Sequence, residues 1–216
     1  MQANAVELIS IGDELLNGTI VDQNAAFAGR HLIGLGLEVY GKQTVPDQAA
    51  AIAAAIRAAA ARARFVVASG GLGPTSDDVT AEAAAMAMGV ELVRDSSVVS
   101  SIREKYRVYG RSCTDSIEKQ AFIPDGAIVI ANPIGTAPGL QIELGESTLF
   151  FLPGVQREYR SFITGYVGAW MADRVGREVL RGTVRTFGLS ESAVAGRLAS
   201  LVLQQGERLQ YRTSYP

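Results

Sequence analysis

Residues 65–78 read FVVASGGLGPTSDD, and this stretch decides the fold. Phe65 to Ser69 is short, apolar and glycine-bounded, the pattern of a strand buried on both faces of a sheet. Gly70, Gly71 and Gly73 follow it and allow positive φ and close ligand approach, so successive main-chain amides can point into one hollow before the next helix begins. Such a hollow suits an anion. Thr75 or Ser76 is placed to cap that helix, whose free N-terminal amides add to the attraction for phosphate. No Gly-Lys-Ser/Thr follows, so the loop is not a Walker motif, and no GxGxxG after a strand supports a dinucleotide-type site.

Working outward, strands alternate with helical patterns. Residues 5–11 read as the first strand; Ala25, Ala28, Leu32 and Leu35 recur at helical spacing over 22–36; residues 37–44 fit a strand. Asp47 opens an alanine-rich helix through Arg62, with Ile52 and Ile56 one turn apart. Downstream of the glycine loop, Val79, Ala83, Met86 and Val90 share a helical face, a helix is expected over 96–109, and residues 114–121 make a further turn or two. Strands are expected at 127–130, 139–144 and 148–152, the last two as a hairpin across Gly145 and Glu146. Phe162, Ile163, Tyr166, Val167 and Trp170 stripe a last large helix that closes the main domain near residue 172. The order is that of a three-layer α/β domain, a mostly parallel sheet covered on both faces.

Ligands of such sheets sit beyond the carboxyl ends of the strands. Four loops therefore matter. The first, GDELLNG at 12–18, carries Asp13 and Glu14 and is followed by Asp22, Gln23 and Asn24. In the second, GGLGPTSDD at 70–78, Asp77 and Asp78 have a plain reading, acids complementing the dipole of the coming helix, worth about 0.3–1 kcal/mol each. They would also repel a phosphate, unless a divalent cation sits between carboxylates and phosphate oxygens. With one cysteine, Cys113, and one histidine, His31, the expected ion is oxygen-liking rather than zinc. The third loop, NPIGTAPG at 132–139, is mechanically a rigid turn favoured by Pro133 and Pro138, with small residues where a ligand can approach main-chain amides. The fourth, LPGVQREY at 152–159, leaves a strand and begins the Trp170 helix, bringing Gly154 and Glu158. No Ser/His/Asp set can be assigned; His31 reads as structural and Cys113 as an ordinary thiol.

The bulk numbers bound the rest. At 216 residues, 48% hydrophobic and 19% charged, the chain has room for one full α/β domain and a small appendage. A net charge of −2 gives no general reason to expect nucleic acid or an anionic membrane. No stretch approaches the ~18 apolar residues of a span, and the opening residues lack a secretory pattern, so a cytoplasmic address is expected. From residue 173 the character changes: seven arginines and no lysine stand against four acids. Residues 173–216 are expected to be a small incomplete α+β unit, with a strand at 178–187, a helix from an N-cap at Ser190 through Leu203, and the start of a strand at 209–213.

Taken together, GDELLNG with DQN, GGLGPTSDD, NPIGTAPG and LPGV resemble, in order and spacing over about residues 5–170, the N-terminal domain of the CinA (competence-damage-inducible) family. The GDEL and GG(L/T)GP signatures are also similar to the molybdopterin-binding fold of the MogA, MoaB and MoeA proteins. The tail, with RTFGLSES, resembles the start of the KH-like unit of CinA proteins, but lacks the GxxG with which KH domains clamp nucleic acid. Where the family often has Pro and Met in LPGVPxEM, this chain has Gln156 and Tyr159; it keeps Gly154 and Glu158. The family's nicotinamide-mononucleotide deamidase domain is not in this sequence, so that activity is not expected of it.

The resemblance implies metal-dependent hydrolysis of a nucleotide pyrophosphate such as ADP-ribose, with magnesium, manganese or cobalt. On this reading Asp13, Glu14, Asp77 and Asp78 bind metal and activate water, while Gly70, Gly71, Gly73, Pro74 and Thr75 hold phosphate. Asn24, Gly135, Thr136, Ala137, Gly154 and Glu158 complete the substrate-binding set. It also implies a homo-oligomer. The alternatives are a binding or transfer module for molybdopterin or its adenylated form, and a non-enzymatic interaction module whose arginine-rich tail meets a partner or RNA. The expected partner is a small phosphorylated nucleotide-like ligand, without membrane and without nucleic acid.

Overall fold

In β1 (Gln2–Ile11) the alternation of Val6 and Leu8 against Ile9 and Ile11 sends apolar side chains to both faces, which only a sheet covered on both sides can bury. The structure, a computed structural model, describes residues 2–108, 110, 112–176, 180, 182–206 and 211. The chain divides into two units, Met1–Val179 and Leu180–Pro216.

In the first unit, β1 is followed by a single turn α1 (Asp13–Leu16), then α2 (Gln23–Gly34), β2 (Glu38–Val45), α3 (Ala49–Ala60) and β3 (Ala63–Ser69). Next come α4 (Thr80–Met88), β4 (Leu92–Arg94), α5 (Ser96–Val108), α6 (Asp115–Glu118) with a 3-10 turn at Lys119–Ala121, β5 (Phe122–Pro124) and β6 (Ile128–Ile130). The unit ends with β7 (Gly139–Leu144), β8 (Ser147–Leu152), α7 (Gln156–Phe162) and α8 (Gly168–Val175). Six strands form one sheet in the order β2-β1-β3-β8-β7-β6, with β2, β1, β3 and β8 parallel and the β7 and β8 hairpin turning the edge antiparallel.

One face carries α3 and α4: Ile52, Ile56, Ala83 and Ala84 pack on Ile9, Val66, Ala68 and Phe151. The other carries α2, α7 and α8: Leu32, Phe162, Ile163 and Met171 pack on Leu8, Phe65, Val67 and Phe150. Trp170 meets the Phe150 ring edge-on at 5.3 Å. Burying a large apolar side chain contributes about 1.5–3 kcal/mol, so these two layers hold the sheet. Glu7, 2% exposed in the middle of β1, is matched by the Arg62 guanidinium through two bonds of 2.7 and 2.8 Å, the pairing a buried carboxylate requires.

The mostly parallel sheet and the flanking helices are as the sequence leads one to expect, and the departures are local. Helix α4 begins at Thr80, later than a cap at Thr75 or Ser76 would start it, and the register moves accordingly. Alanines pack it against α3, leaving Met86 exposed and Val79 and Val90 outside the helix. The expected single last helix is interrupted: residues Ile163–Val167 form a wider π turn in which Gly165 takes a non-helical backbone. The two-stranded antiparallel pair of β4 and β5 has no counterpart in the sequence pattern, since each strand is three residues long. With α5 and α6 it forms a side lobe around Val98, Val99, Ile102 and Ala121.

In the second unit, α9 (Glu191–Gln205) is capped by Ser190, whose hydroxyl accepts from the Ala193 amide at 3.3 Å. Of the strand expected over 178–187, the described residues 180 and 182–187 are not strand; a lone strand without a pairing neighbour has no ladder to stabilise it. The strand expected at 209–213 lies outside the described residues except for Tyr211.

Candidate functional site

The register of the sheet builds the site. Ser10 is level with both Thr44 and Ser69, and Ser69 with Leu152, so β1, β2, β3 and β8 end side by side. Because β6 runs antiparallel to β7 and β7 to β8, the loop after β6 emerges at the same edge. Main-chain bonds seal the ends: Gly12 N–H donates to Val45 at 3.1 Å and Gly70 N–H to Leu152 at 3.1 Å. The loops after β1 and β3 therefore face one another across a cavity of about 700 Å³.

The expected residues Glu14, Asn24, Gly70, Gly71, Gly73, Pro74, Asp77, Asp78, Thr136, Ala137, Gly154 and Glu158 line this cavity; Asp13, Thr75 and Gly135 do not. Asp22, Asp47 and Gln120 also line it, and sequence reasoning did not place them there. Asp22 had a sequence signal, lying next to Asn24 in the DQN run. Asp47 reads in the sequence as the opening of a helix, because strand β2 has no glycine loop to mark its end. Gln120 lies in a turn of the side lobe, which the pattern does not resolve.

Six carboxylates thus line the cavity, those of Glu14, Asp22, Asp47, Asp77, Asp78 and Glu158, and among the described residues no Lys, Arg or His lines it. They differ in what holds them. Burial alone would raise the Asp22 carboxyl, but the Ser10 hydroxyl at 2.6 Å, the Ala25 amide at 2.9 Å and Lys42 at 3.0 Å outweigh it and hold it below the usual value. Asp47 goes the other way. Desolvation and then the charges of Glu14, Asp13 and Asp77 push it up, against the Asp13 main-chain N–H that it accepts at 2.9 Å.

Asp78 corrects the expectation of a run of free amides. Its carboxylate accepts from Gly73 N–H at 2.7 Å, Thr75 N–H at 2.8 Å and the Thr75 hydroxyl at 2.5 Å. Residues 73–78 are folded around this carboxylate, so neither Thr75 nor Ser76 caps α4. Of the loop's amides, those of Gly70, Gly73, Thr75 and Asp78 are taken, and among the described residues those of Gly71, Leu72 and Ser76 have no protein acceptor. Thr80 closes the loop from below, its hydroxyl donating to the Gly70 carbonyl at 2.8 Å and its amide to that of Gly71 at 3.0 Å.

The loop after β6 is organised by Asn132, which is 5% exposed. Its Oδ1 accepts from Ile134 and Gly135 amides, both at 2.9 Å, and its Nδ2 donates to the Ala137 carbonyl and to Glu158, both at 2.7 Å. Lys105 clamps the loop from α5, donating to the Asn132 and Gly135 carbonyls at 2.5 Å. Glu158 is therefore held against this loop rather than free in the hollow. From α2, Asn24 spans to the last loop, donating to the Gly154 carbonyl at 2.8 Å.

Among the described residues no three Asp, Glu, His or Cys side chains converge closely enough to hold a metal ion, so Asp13, Glu14, Asp77 and Asp78 do not form a ready-made cage. The donors present, exposed Glu14 and Asp77 beside half-buried Asp47, suit an ion that arrives with a phosphate and takes its remaining ligands from phosphate and water, as magnesium commonly does.

Residues 7–169 match the family described as "Probable molybdopterin binding domain". A "CinA-like protein" of Anaeromyxobacter dehalogenans is 38% identical over 214 residues, covering 98% of this chain and 52% of that protein. The chain spans about half the length of the curated relatives it matches. Among solved structures, the CinA protein of Thermoplasma acidophilum, described there as of unknown function, is 37% identical with a TM-score of 0.72, covering 80% of this chain and 98% of that one. The molybdopterin biosynthesis enzyme MoaB of Thermus thermophilus, 20% identical with a TM-score of 0.52 over 80% of this chain and 97% of its own, shares the fold.

Proposed function

The chain belongs to the molybdopterin-binding-domain family and is CinA-like, and from that premise we propose that it is a metal-dependent nucleotide pyrophosphatase acting on substrates of the ADP-ribose class. The observation that carries the reading is the lining of the cavity: six carboxylates and no basic side chain among the described residues, beside the free amides of Gly71 and Leu72. A diphosphate can approach such a wall only with a cation that compensates both sets of negative charge. A divalent ion would also lower the pKa of attacking water.

The chain's own residues then divide the work. Gly71 and Leu72 N–H groups receive a phosphate oxygen, in the manner of backbone anion sites. Glu14 and Asp77 are the carboxylates open to the ion. Hydrolysis bonds a water oxygen to one phosphorus while the bridging oxygen departs with the other phosphate, and the water must lose a proton. Asp47 suits that proton because burial, and then the neighbouring carboxylates, have already raised its affinity for one. Asp78 and Glu158 are positioning residues, the first shaping the glycine loop and the second bracing the Asn132 loop.

The test is direct. ADP-ribose is incubated with the protein and magnesium, manganese or cobalt in turn, and AMP and ribose 5-phosphate are separated by ion-exchange chromatography. Their appearance in equal amounts, abolished by a chelator, is expected; unchanged substrate with every metal removes the reading. One observation favours a second reading, the family description itself: the same hollow can hold a pterin phosphate. Affinity for molybdopterin or its adenylated form without pyrophosphate cleavage would establish that function instead.

A further inference from the structure

Gln120 enters the cavity wall from the 3-10 turn of the side lobe, and it is 9% exposed. Its Nε2 donates to the Leu72 carbonyl at 3.3 Å. A carbonyl only accepts, so this bond fixes which way the amide faces and leaves Oε1 on the other side. That oxygen is buried and meets no donor among the described residues. Buried acceptors are almost always satisfied, by protein, water or ligand. Asn24 shows the same arrangement across the cavity: its Nδ2 is bound to Gly154 and Ser69, and its Oδ1 is buried without a partner.

What these oxygens accept is constrained by chemistry. A phosphate oxygen carries no proton to offer at neutral pH, so it would repel an amide oxygen. A nucleotide also carries neutral donors, the amine of its base and the hydroxyls of its ribose, and these fit. We propose that Gln120 is a specificity-determining residue, whose Oε1 accepts from the base amine or the ribose 2′-hydroxyl of the bound nucleotide beside the Leu72 amide. The inference rests on the nucleotide reading of the cavity and deepens it, since it says which part of the ligand lies against the side lobe. Gln120 also borders a second cavity of about 70 Å³ behind the glycine loop, and a water there is the structural alternative.

Three probes separate these cases: ADP, 2′-deoxy-ADP, and the diphosphate of purine riboside, which lacks the amine. Each is titrated calorimetrically, with magnesium, into the full 216-residue chain and into Gln120→Met, which keeps the length of the side chain and removes its polar atoms. The wild-type protein is expected to bind ADP about ten-fold more tightly than one of the two analogues, because an acceptor left without its donor rejects the ligand lacking it. The analogue that loses affinity identifies the donor as hydroxyl or amine. In Gln120→Met that preference is expected to fall to within about two-fold, with ADP reduced to the level of the weaker analogue. Equal binding of all three by the wild type, or an unchanged preference in Gln120→Met, overturns the inference; a water or a metal ion at Oε1 gives the second result. Failure to bind any of the three overturns it together with the nucleotide reading. Selective binding without cleavage of ADP-ribose leaves it standing and removes only the hydrolysis.

Discussion

Asp47 accepts the main-chain N–H of Asp13 at 2.9 Å, which ties the loop after β2 to the loop after β1. The bond places a carboxylate from an unremarkable stretch of sequence among the acids of the GDELLNG and GGLGPTSDD loops, and its pKa is raised above the ordinary 3.8 by burial and by those neighbours.

Asp47→Asn should therefore separate charge from structure. The amide oxygen can still accept from Asp13, so the loop is kept, while the proton acceptor is lost; turnover of ADP-ribose is expected to fall about 100-fold or more. The folded protein holds the Asp47 proton more tightly than the unfolded chain, so ionising Asp47 costs stability as pH rises through the window above 3.8. Urea denaturation should show the variant gaining on wild type as pH is raised from about 4 to about 7. A constant difference across that range would deny the strained carboxylate.

Asp78→Ala should loosen the glycine loop. It leaves the Gly73 and Thr75 amides and the Thr75 hydroxyl without their acceptor, at an expected cost of about 1–3 kcal/mol. Limited proteolysis should find a new cleavage site within residues 72–79. Asp78→Asn, which keeps an acceptor oxygen, should lose less in both measurements.

Gly70→Ala is expected to be worse than an ordinary turn substitution. Gly70 has φ +114, and a Cβ there would collide with the Ile11 carbonyl, main chain that cannot step aside. Gly145, in the β7 and β8 hairpin, has φ +62, and a Cβ there would meet nothing within 4 Å. Thermal unfolding should show a loss of more than about 2 kcal/mol for Gly70→Ala and about 1 kcal/mol for Gly145→Ala. Equal losses would mean that Gly70 and the Ile11 carbonyl, at the ends of β3 and β1, are not as close as described.

Asn132→Ala should release the third loop. Two amides, the Ala137 carbonyl and the Glu158 carboxylate lose a buried partner together, and the expected cost is about 3 kcal/mol. Glu158→Gln, whose side-chain oxygen can still accept from Asn132, should stay within about 1 kcal/mol of wild type and keep most of its nucleotide affinity. A large loss of affinity in Glu158→Gln with unchanged stability would move Glu158 from bracing the loop to touching the ligand.

Much of this was legible in the residues. The apolar and small run at 65–69, and the alternation along β1, announce strands covered on both faces, and the flanking 3.6-residue periodicities announce the covering helices. Signals failed where they were short or nonlocal. Three-residue strands β4 and β5 have too few residues for a period, and Met86 faces solvent because the start of α4 was set by Asp78, which draws Thr75 into a turn before the helix.

What the sequence by itself determined is the kind of surface each segment carries: which residues must be buried, where glycine permits a tight turn, and that the GDELLNG, GGLGPTSDD, NPIGTAPG and LPGV motifs belong to a molybdopterin-binding-type, CinA-like domain. Only the tertiary structure decided which of those turns share a hollow and which polar groups are already spoken for there. Strand register brought Asp47 to the cavity and the side lobe brought Gln120, both from segments with no motif, and the bonds made by Asp78 and Asn132 withdrew groups that looked free. The physical reason is range: turn chemistry and periodicity act over a few residues, whereas hydrogen-bond competition and charge repulsion act through space between positions tens of residues apart.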